Sequence, residues 1–389
     1  VIKNKNILLG VSGGIAAYKA VELASLLKKQ GANVKVILTQ NTREFITPIT
    51  FKAITHDLVL TNNFDLENEI AHITLADWAD IFVIAPATAN IIGKIANGIA
   101  DDLLTSTIMA YTKKTLIVPA MNIHMYENKI LQDNIKKLKR FGFYFMEPES
   151  GQLACGYQGK GRFPKSDEIL YFIKAYLHYE QDLMDKNILV TAGATQQKID
   201  PMRFLTNIAS GKMGVEIARA AAIRGAKVTL IHGSVKTTLP EYLHHAIQTL
   251  SAEEMYASCL ELATKQDLIF KAAAVSDYTP EIYLERKLKK GKDFELKLVR
   301  TNDILAELGK RKPENQILVG FAAESENIIE NATEKMARKN CDFIVANHLN
   351  NAGKDESEVT ILSKEKSKQI SGDKFMTANQ ILDFVLYGK

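Results

Sequence analysis

The stretch Lys5-Asn6-Ile7-Leu8-Leu9-Gly10-Val11-Ser12-Gly13-Gly14 returns in outline as Lys186-Asn187-Ile188-Leu189-Val190, followed again by a glycine, Gly193. Each is a short, continuously apolar run. After the first come a glycine turn, an amphipathic helix over Ala16–Lys29 and a second run over Asn33–Thr39. After the second come a helix over Gly214–Arg224 and a run over Lys227–Ile231. Runs that are apolar throughout, with helices between them, indicate parallel strands covered on both faces. Two such openings predict an α/β chain with two doubly wound, mostly parallel-sheet, Rossmann-like domains. Further strands are expected at Ile81–Ala85, Leu116–Val118, Leu268–Ala272, Ile317–Phe321 and Phe343–Val345, with Val359–Leu362 and a helix over Thr377–Leu386 closing the second domain.

A chain of 389 residues suits two or three domains at about 150 residues each. A helix over Asp167–Tyr179 and the charged stretch Glu180–Lys186 place the boundary near 180–186, giving domains 1–183 and 184–389. With 46% hydrophobic and 24% charged residues, the composition is globular and excludes disorder, collagen and a small disulfide scaffold. A net charge of +4 is too weak and too mixed for a nucleic-acid binder. No run approaches the roughly 18 apolar residues of a membrane helix. Cys155, Cys259 and Cys341 are odd in number and far apart, which argues against disulfides or a cysteine zinc site and for a reducing cytoplasm. Lys3 and Lys5 before Ile7–Ala17 imitate a secretory leader, but the strand–turn–helix–strand reading accounts for the whole segment.

Polar features fall just after the strands of the first half: Ser12-Gly13-Gly14, Thr39, Pro86–Asn90 and Pro119–Asn122. Ligands of open parallel sheets bind beyond the carboxyl ends of the strands, so one crevice would collect all four. The glycine turn suits a phosphate at a helix start; a plain tight turn satisfies it equally. GxGxxG is absent, as is an acidic residue after Thr39-Gln40, which disfavours a nicotinamide cofactor. His72 lies just ahead of the expected third strand. It reads as a site residue or as an ordinary hydrogen-bonded histidine, and Asn122 as a site residue or a helix cap. Gly151–Lys165 holds Gly151, Gly156, Gly159 and Gly161 with Cys155, Lys160 and Arg162, and shows neither a strand nor a helix period. It is expected to be a mobile flap, its thiol an acid or nucleophile. In the second half Asn207 precedes Ser210-Gly211-Lys212-Met213-Gly214, which is not a Walker A loop. Arg286–Arg300 reads as a basic loop or hairpin, its Lys287, Lys289, Lys290 and Lys292 solvated or facing a polyphosphate.

Taken together the motifs resemble one family, the bacterial bifunctional phosphopantothenoylcysteine decarboxylase / phosphopantothenate–cysteine ligase of coenzyme A synthesis, over nearly the whole chain. Ala71-His72-Ile73-Thr74-Leu75, Pro119-Ala120-Met121-Asn122 and Leu153-Ala154-Cys155-Gly156 are similar to its decarboxylase signatures. Asp200-Pro201 with Arg203 and Asn207, Ser210–Gly214, Ala273–Tyr278, Lys287–Lys290 and Gly320–Glu324 are similar to its ligase signatures.

The resemblance implies a flavodoxin-like first domain binding FMN through Gly13, Gly14, Ile15, Thr39, Thr88 and Asn90. There the cysteine moiety of 4′-phosphopantothenoyl-cysteine is oxidised to a thioaldehyde, loses carbon dioxide and is reduced again. His72 would be the base, Asn122 the carboxylate holder and Cys155 the final proton donor. In the second domain it implies CTP with Mg²⁺ and an acyl-CMP intermediate. Lys287 would stabilise the first step, Asn207 would position the intermediate, and Ala273, Asp277, Asn302, Asp303, Ile304, Phe321, Lys335 and Lys339 would line the nucleotide site. Small-molecule substrates and a homo-oligomer are expected, with no nucleic acid and no membrane. Ala194, Ala209, Asn302 and Tyr126 depart from the family pattern. The competing readings are a flavin-binding interaction protein without chemistry and a nicotinamide oxidoreductase.

Overall fold

The structure is a computed structural model that describes residues 1–65, 70–152, 156–289, 294–324, 328–348 and 356–388. The chain divides into two compact units, Val1–Glu180 and Gln181–Lys389.

The main strands of the first unit are β1 (Asn6–Val11), β2 (Asn33–Leu38), β3 (Val59–Leu60), β4 (Ile81–Ala87), β5 (Thr115–Pro119) and β6 (Tyr144–Phe145). They form one parallel sheet in the order β3-β2-β1-β4-β5-β6. Without the two-residue edge strand β3, the order is that of a flavodoxin-like sheet. His72 therefore precedes the fourth strand and not the third, because Val59–Leu60 is too short to show as a run.

Helices α1 (Ala17–Lys29), α2 (Pro48–Thr55), α3 (Ala71–Trp78), α4 (Ala89–Ala96), α5 (Leu103–Ala110), α6 (Ile123–Tyr126), α7 (Lys129–Arg140) and α8 (Ser166–Tyr176) connect or flank the strands. α1 shows why: it buries Ala17, Ala20, Leu23, Ala24 and Leu27 at helical spacing and ends in Lys28 and Lys29, which suit the negative end of its dipole. Ile7, Leu8, Leu9 and Val11 are fully buried, each removal from water contributing about 1.5–3 kcal/mol.

The segment expected to lack a strand period is a hairpin instead. β7 (Glu149–Gln152) and β8 (Gln158–Arg162) pair antiparallel, while Cys155 lies outside the described residues. Glycines at positions 151, 159 and 161 remove the side chains whose alternation would have marked the strands.

The second unit begins with β9 (Asn187–Ala192), β10 (Gln196–Lys198), β11 (Phe204–Thr206), β12 (Lys227–His232) and β13 (His245–Gln248). There follow β14 (Leu268–Lys271), β15 (Tyr278–Pro280), β16 (Leu298–Arg300), β17 (Ile317–Glu324), β18 (Phe343–His348), β19 (Glu356–Leu362) and β20 (Ser367–Asp373). Its main sheet runs β13-β12-β9-β14-β17-β18-β19-β20, parallel up to β18 and antiparallel beyond. Helices α9 (Lys212–Ile223), α10 (Ala252–Ala263), α11 (Ile304–Arg311), α12 (Ile328–Arg338) and α13 (Lys374–Tyr387) accompany it. Part of Arg286–Arg300 is strand: β16 pairs with β15, and residues 290–293 lie outside the described residues.

Arg224, just after α9, joins the two ends of this unit. Its guanidinium donates to Asp182 at 2.6 and 2.8 Å, pairs with Asp383 on α13 at 2.8 Å, and is 1% exposed. Burial opposes ionisation of Asp182, but the Arg224 bonds outweigh it and hold that carboxyl below its ordinary value. Breaking such a network costs about 3 kcal/mol, because the partners are left with buried, unbalanced charge. Arg224→Met is expected to lower the urea midpoint of the second unit by about 1 M, followed by circular dichroism.

Candidate functional sites at the two switch points

In each unit the chain leaves the central strand toward one side of the sheet and later returns to build the other. In the first, the divide lies between β1 and β4. Ser12 bridges it: its N–H and hydroxyl both donate to the Pro86 carbonyl, at 3.2 and 2.8 Å, and its hydroxyl accepts from the Thr88 N–H at 2.9 Å. The Gly13 N–H donates to the Thr39 hydroxyl at 3.2 Å, and the Ala120 N–H to the Ala87 carbonyl at 3.1 Å. The glycine turn, Thr39, Thr88 and the turn before Asn122 therefore share one sheet edge.

A Cβ on Gly13 would stand 2.6 Å from Asn41, so only glycine permits this approach. The turn opens α1, whose first turn has no acidic residue. Backbone N–H groups, hydroxyls and a positive helix end fit a phosphate-bearing cofactor. Ile15 and Asn90 are exposed beside this turn and in the first turn of α4.

Asn122 caps α6, accepting the His124 N–H at 2.8 Å. β8 lies directly on its turn: the Met121 N–H donates to the Gly161 carbonyl at 3.0 Å. A Cβ on Gly161 would meet the Met121 carbonyl oxygen at 2.2 Å. Lys160 is engaged by Glu147 at 2.5 Å, and Glu147 also accepts from the buried Tyr126 hydroxyl at 3.0 Å. Burial works against ionisation of Glu147, but Lys160 overcomes it and holds the carboxyl below its ordinary value. Tyr126 thus anchors the hairpin. His72 is half-buried in the first turn of α3, the helix that runs back antiparallel before β4, so it sits at the same sheet edge. Among the described residues no hydrogen bond or ion pair joins it to the others.

In the second unit the divide lies between β9 and β14. The Ala273 N–H donates to the Thr191 hydroxyl at 3.1 Å, and the Ala274 N–H to the Gly193 carbonyl at 2.8 Å. The Asn207 amide donates to the carbonyls of Ala274 and Val275 at 3.4 and 3.3 Å. Gly214 lets α9 press on β9, since a Cβ there would lie 2.7 Å from that of Ala192. Ala194 joins the same framework by exchanging backbone bonds with Ser234.

Buried Asp200 accepts N–H groups from Met202 and Arg203 on one oxygen, at 2.7 and 2.8 Å, and from Leu288 on the other at 3.1 Å. Burial opposes its ionisation, yet these donors hold the carboxyl below its ordinary value. The Arg203 guanidinium donates to the Leu288 carbonyl at 2.6 Å. The exposed Lys287 is thereby tethered to the loop that leads to Asn207. Asp303 caps α11 beside Ile304 and pairs with Lys339, Lys335 donates to the Phe321 carbonyl at 2.9 Å, and Asn302 donates to Glu253 at 3.2 Å. Asp277 is exposed in the loop after β14, and its backbone carbonyl accepts the Thr301 N–H at 2.9 Å.

Residues 2–178 match the family described as Flavoprotein, and residues 183–387 match the DNA/pantothenate metabolism flavoprotein C-terminal domain. The coenzyme A biosynthesis bifunctional protein CoaBC of Bacillus subtilis (strain 168) is 47% identical, over 95% of this chain and 93% of its own. That of Borreliella burgdorferi is 44% identical, over 99% and 100%. The chain belongs to the family of coenzyme A biosynthesis bifunctional proteins. A crystal structure of the C-terminal domain of a CoaBC protein is similar at 36% identity and a TM-score of 0.45, covering 52% of this chain and 94% of that one. Among the described residues no helix is long and apolar enough to cross a membrane.

Three side chains at these sheet edges carry no motif: Glu147, Thr191 and Lys271, which ends β14 and donates to the Ala273 carbonyl at 2.9 Å. Lys271 has one positional signal, a cation closing an apolar parallel strand. The glycines of β8 had none, since their role shows only against the Met121–Asn122 turn. Gly161→Ala is expected to lift β8 off that turn at a cost of about 1–3 kcal/mol. Hydrogen exchange at the Met121 N–H should then accelerate at least about tenfold. Lys160→Met, which removes only a half-exposed ion pair, should change it far less.

Proposed function

We propose that the two switch-point sites divide the family's ligase and decarboxylase activities between the units. Residues 184–389 join cysteine to 4′-phosphopantothenate with CTP, and residues 1–183 decarboxylate the product to 4′-phosphopantetheine. Support for the first unit comes from Ser12 gathering the Gly13 turn, Thr39 and Thr88 at one sheet edge. That cradle suits the phosphate of FMN, through the Gly13–Ile15 backbone, Thr39, Thr88 and Asn90. When bound, FMN supplies the electron sink that makes loss of carbon dioxide from the cysteinyl group feasible. His72 takes a proton from the substrate, Asn122 orients the departing carboxylate, and Cys155 returns the last proton.

In the second unit the phosphopantothenate carboxylate attacks the α-phosphorus of CTP and pyrophosphate leaves. The cysteine amine then displaces CMP from the acyl-CMP. Lys287 neutralises charge in the first step, and Asn207 holds the acyl-CMP for the second. Mg²⁺ would accompany the triphosphate and neutralise the charge of the leaving pyrophosphate. Ala273, Asp277, Asn302, Asp303, Ile304, Phe321, Lys335 and Lys339 line the nucleotide site. The enzyme works as a cytoplasmic homo-oligomer on small molecules.

His72→Asn should slow carbon dioxide release by about 10²–10⁴-fold and leave ligation near normal. An unchanged rate of release would remove His72 from the chemistry. Lys287→Gln should slow pyrophosphate release measured without cysteine, whereas Asn207→Asp should release pyrophosphate and accumulate acyl-CMP. If both variants block the same half-reaction, the proposed division is wrong.

A further inference from the structure

We propose that Lys271 is a further binding residue of the ligase site and forms, with Lys335, a two-ammonium seat for a phosphate group of the nucleotide. This rests on the nucleotide-dependent ligation proposed above. Lys271 ends β14 at the divide between β9 and β14, and its ammonium donates to the Ala273 carbonyl at 2.9 Å. Lys335 reaches from α12 to the Phe321 carbonyl on the neighbouring strand β17, also at 2.9 Å. Both ammonium groups therefore lean on carbonyls at the level of the carboxyl end of β14, beside the divide where a doubly wound sheet binds its ligand.

Neither has a carboxylate within ion-pairing distance among the described residues. Other lysines of this unit differ in this respect: Lys339 pairs with Asp303, and Lys312 with Asp342 at 2.6 Å. Both lysines are half-buried, and a neutral carbonyl compensates only in part for the water an ammonium loses there. An anion completes the arrangement. A polyphosphate supplies it with oxygens enough to meet both cations.

The groups facing Lys271 are Cys259 from α10, Lys335 from α12, Asp303 at the start of α11, and Asp277 in the loop after β14. Burial, reinforced by Lys335, lowers the Lys271 ammonium to about 8 against the pull of the Cys259 sulfur and of the two carboxylates. Cys259 stays a neutral thiol there, because burial pushes it up to about 12. Near pH 8 part of the unliganded protein then carries Lys271 uncharged, and an arriving polyphosphate draws the proton on.

The test is calorimetric titration of the full chain with CTP and Mg²⁺ at pH 8, in buffers of differing protonation enthalpy. The wild type should take up protons as the nucleotide binds. Lys271→Met should abolish that uptake and weaken binding about tenfold. Lys271→Arg should retain affinity without uptake, since a guanidinium is already charged. Undiminished affinity in Lys271→Met overturns the assignment. A wild type that binds no CTP overturns the nucleotide reading itself, and this one with it.

Discussion

A doubly wound sheet has one place where neighbouring strands send their connections to opposite sides, and nothing of the chain's own fills the gap above them. Both units are organised around that gap. In the first, Ser12 spans it by bonding to Pro86 and Thr88. In the second, Thr191 and Gly193 do the equivalent for Ala273 and Ala274. The sheet edges then present backbone groups and hydroxyls in fixed positions, and the remaining site residues attach to that frame. Helix α9 reaches the gap only because Gly214 lets it press on Thr191 and Ala192. The Gly13 turn fits only because nothing projects toward Asn41.

Much of this was legible in the residues. Apolar runs such as Ile7–Val11 and Ile188–Val190 stand fully buried in parallel strands, and periodicity is enough to show them. The polar turns after those strands could be gathered at one edge because strand polarity is fixed by the connections. What escaped has physical reasons. Edge strands such as Val59–Leu60 and Tyr144–Phe145 are too short to have a period. β20, Ser367–Asp373, pairs along the outer edge of its sheet and is mostly polar, so no apolar run announces it.

The site was legible unevenly for the same reason. His72, Asn122 and Asn207 stand out as chemical groups in recognisable surroundings. Asp200 looks like part of a turn, and only the structure shows its second oxygen holding the Leu288 N–H, 88 residues away. That long-range bond is what ties the Lys287 loop to Asn207. No spacing rule encodes it.

The guanidinium of Arg224 has a topological consequence. By gripping Asp182 and Asp383 together, with the Tyr387 hydroxyl donating to Asp182 at 2.7 Å, it closes the second unit's backbone into a near-ring. A polypeptide whose entry and exit meet can be appended to a neighbour without rearranging its own interior. A single buried cation thus makes the unit portable as well as stable.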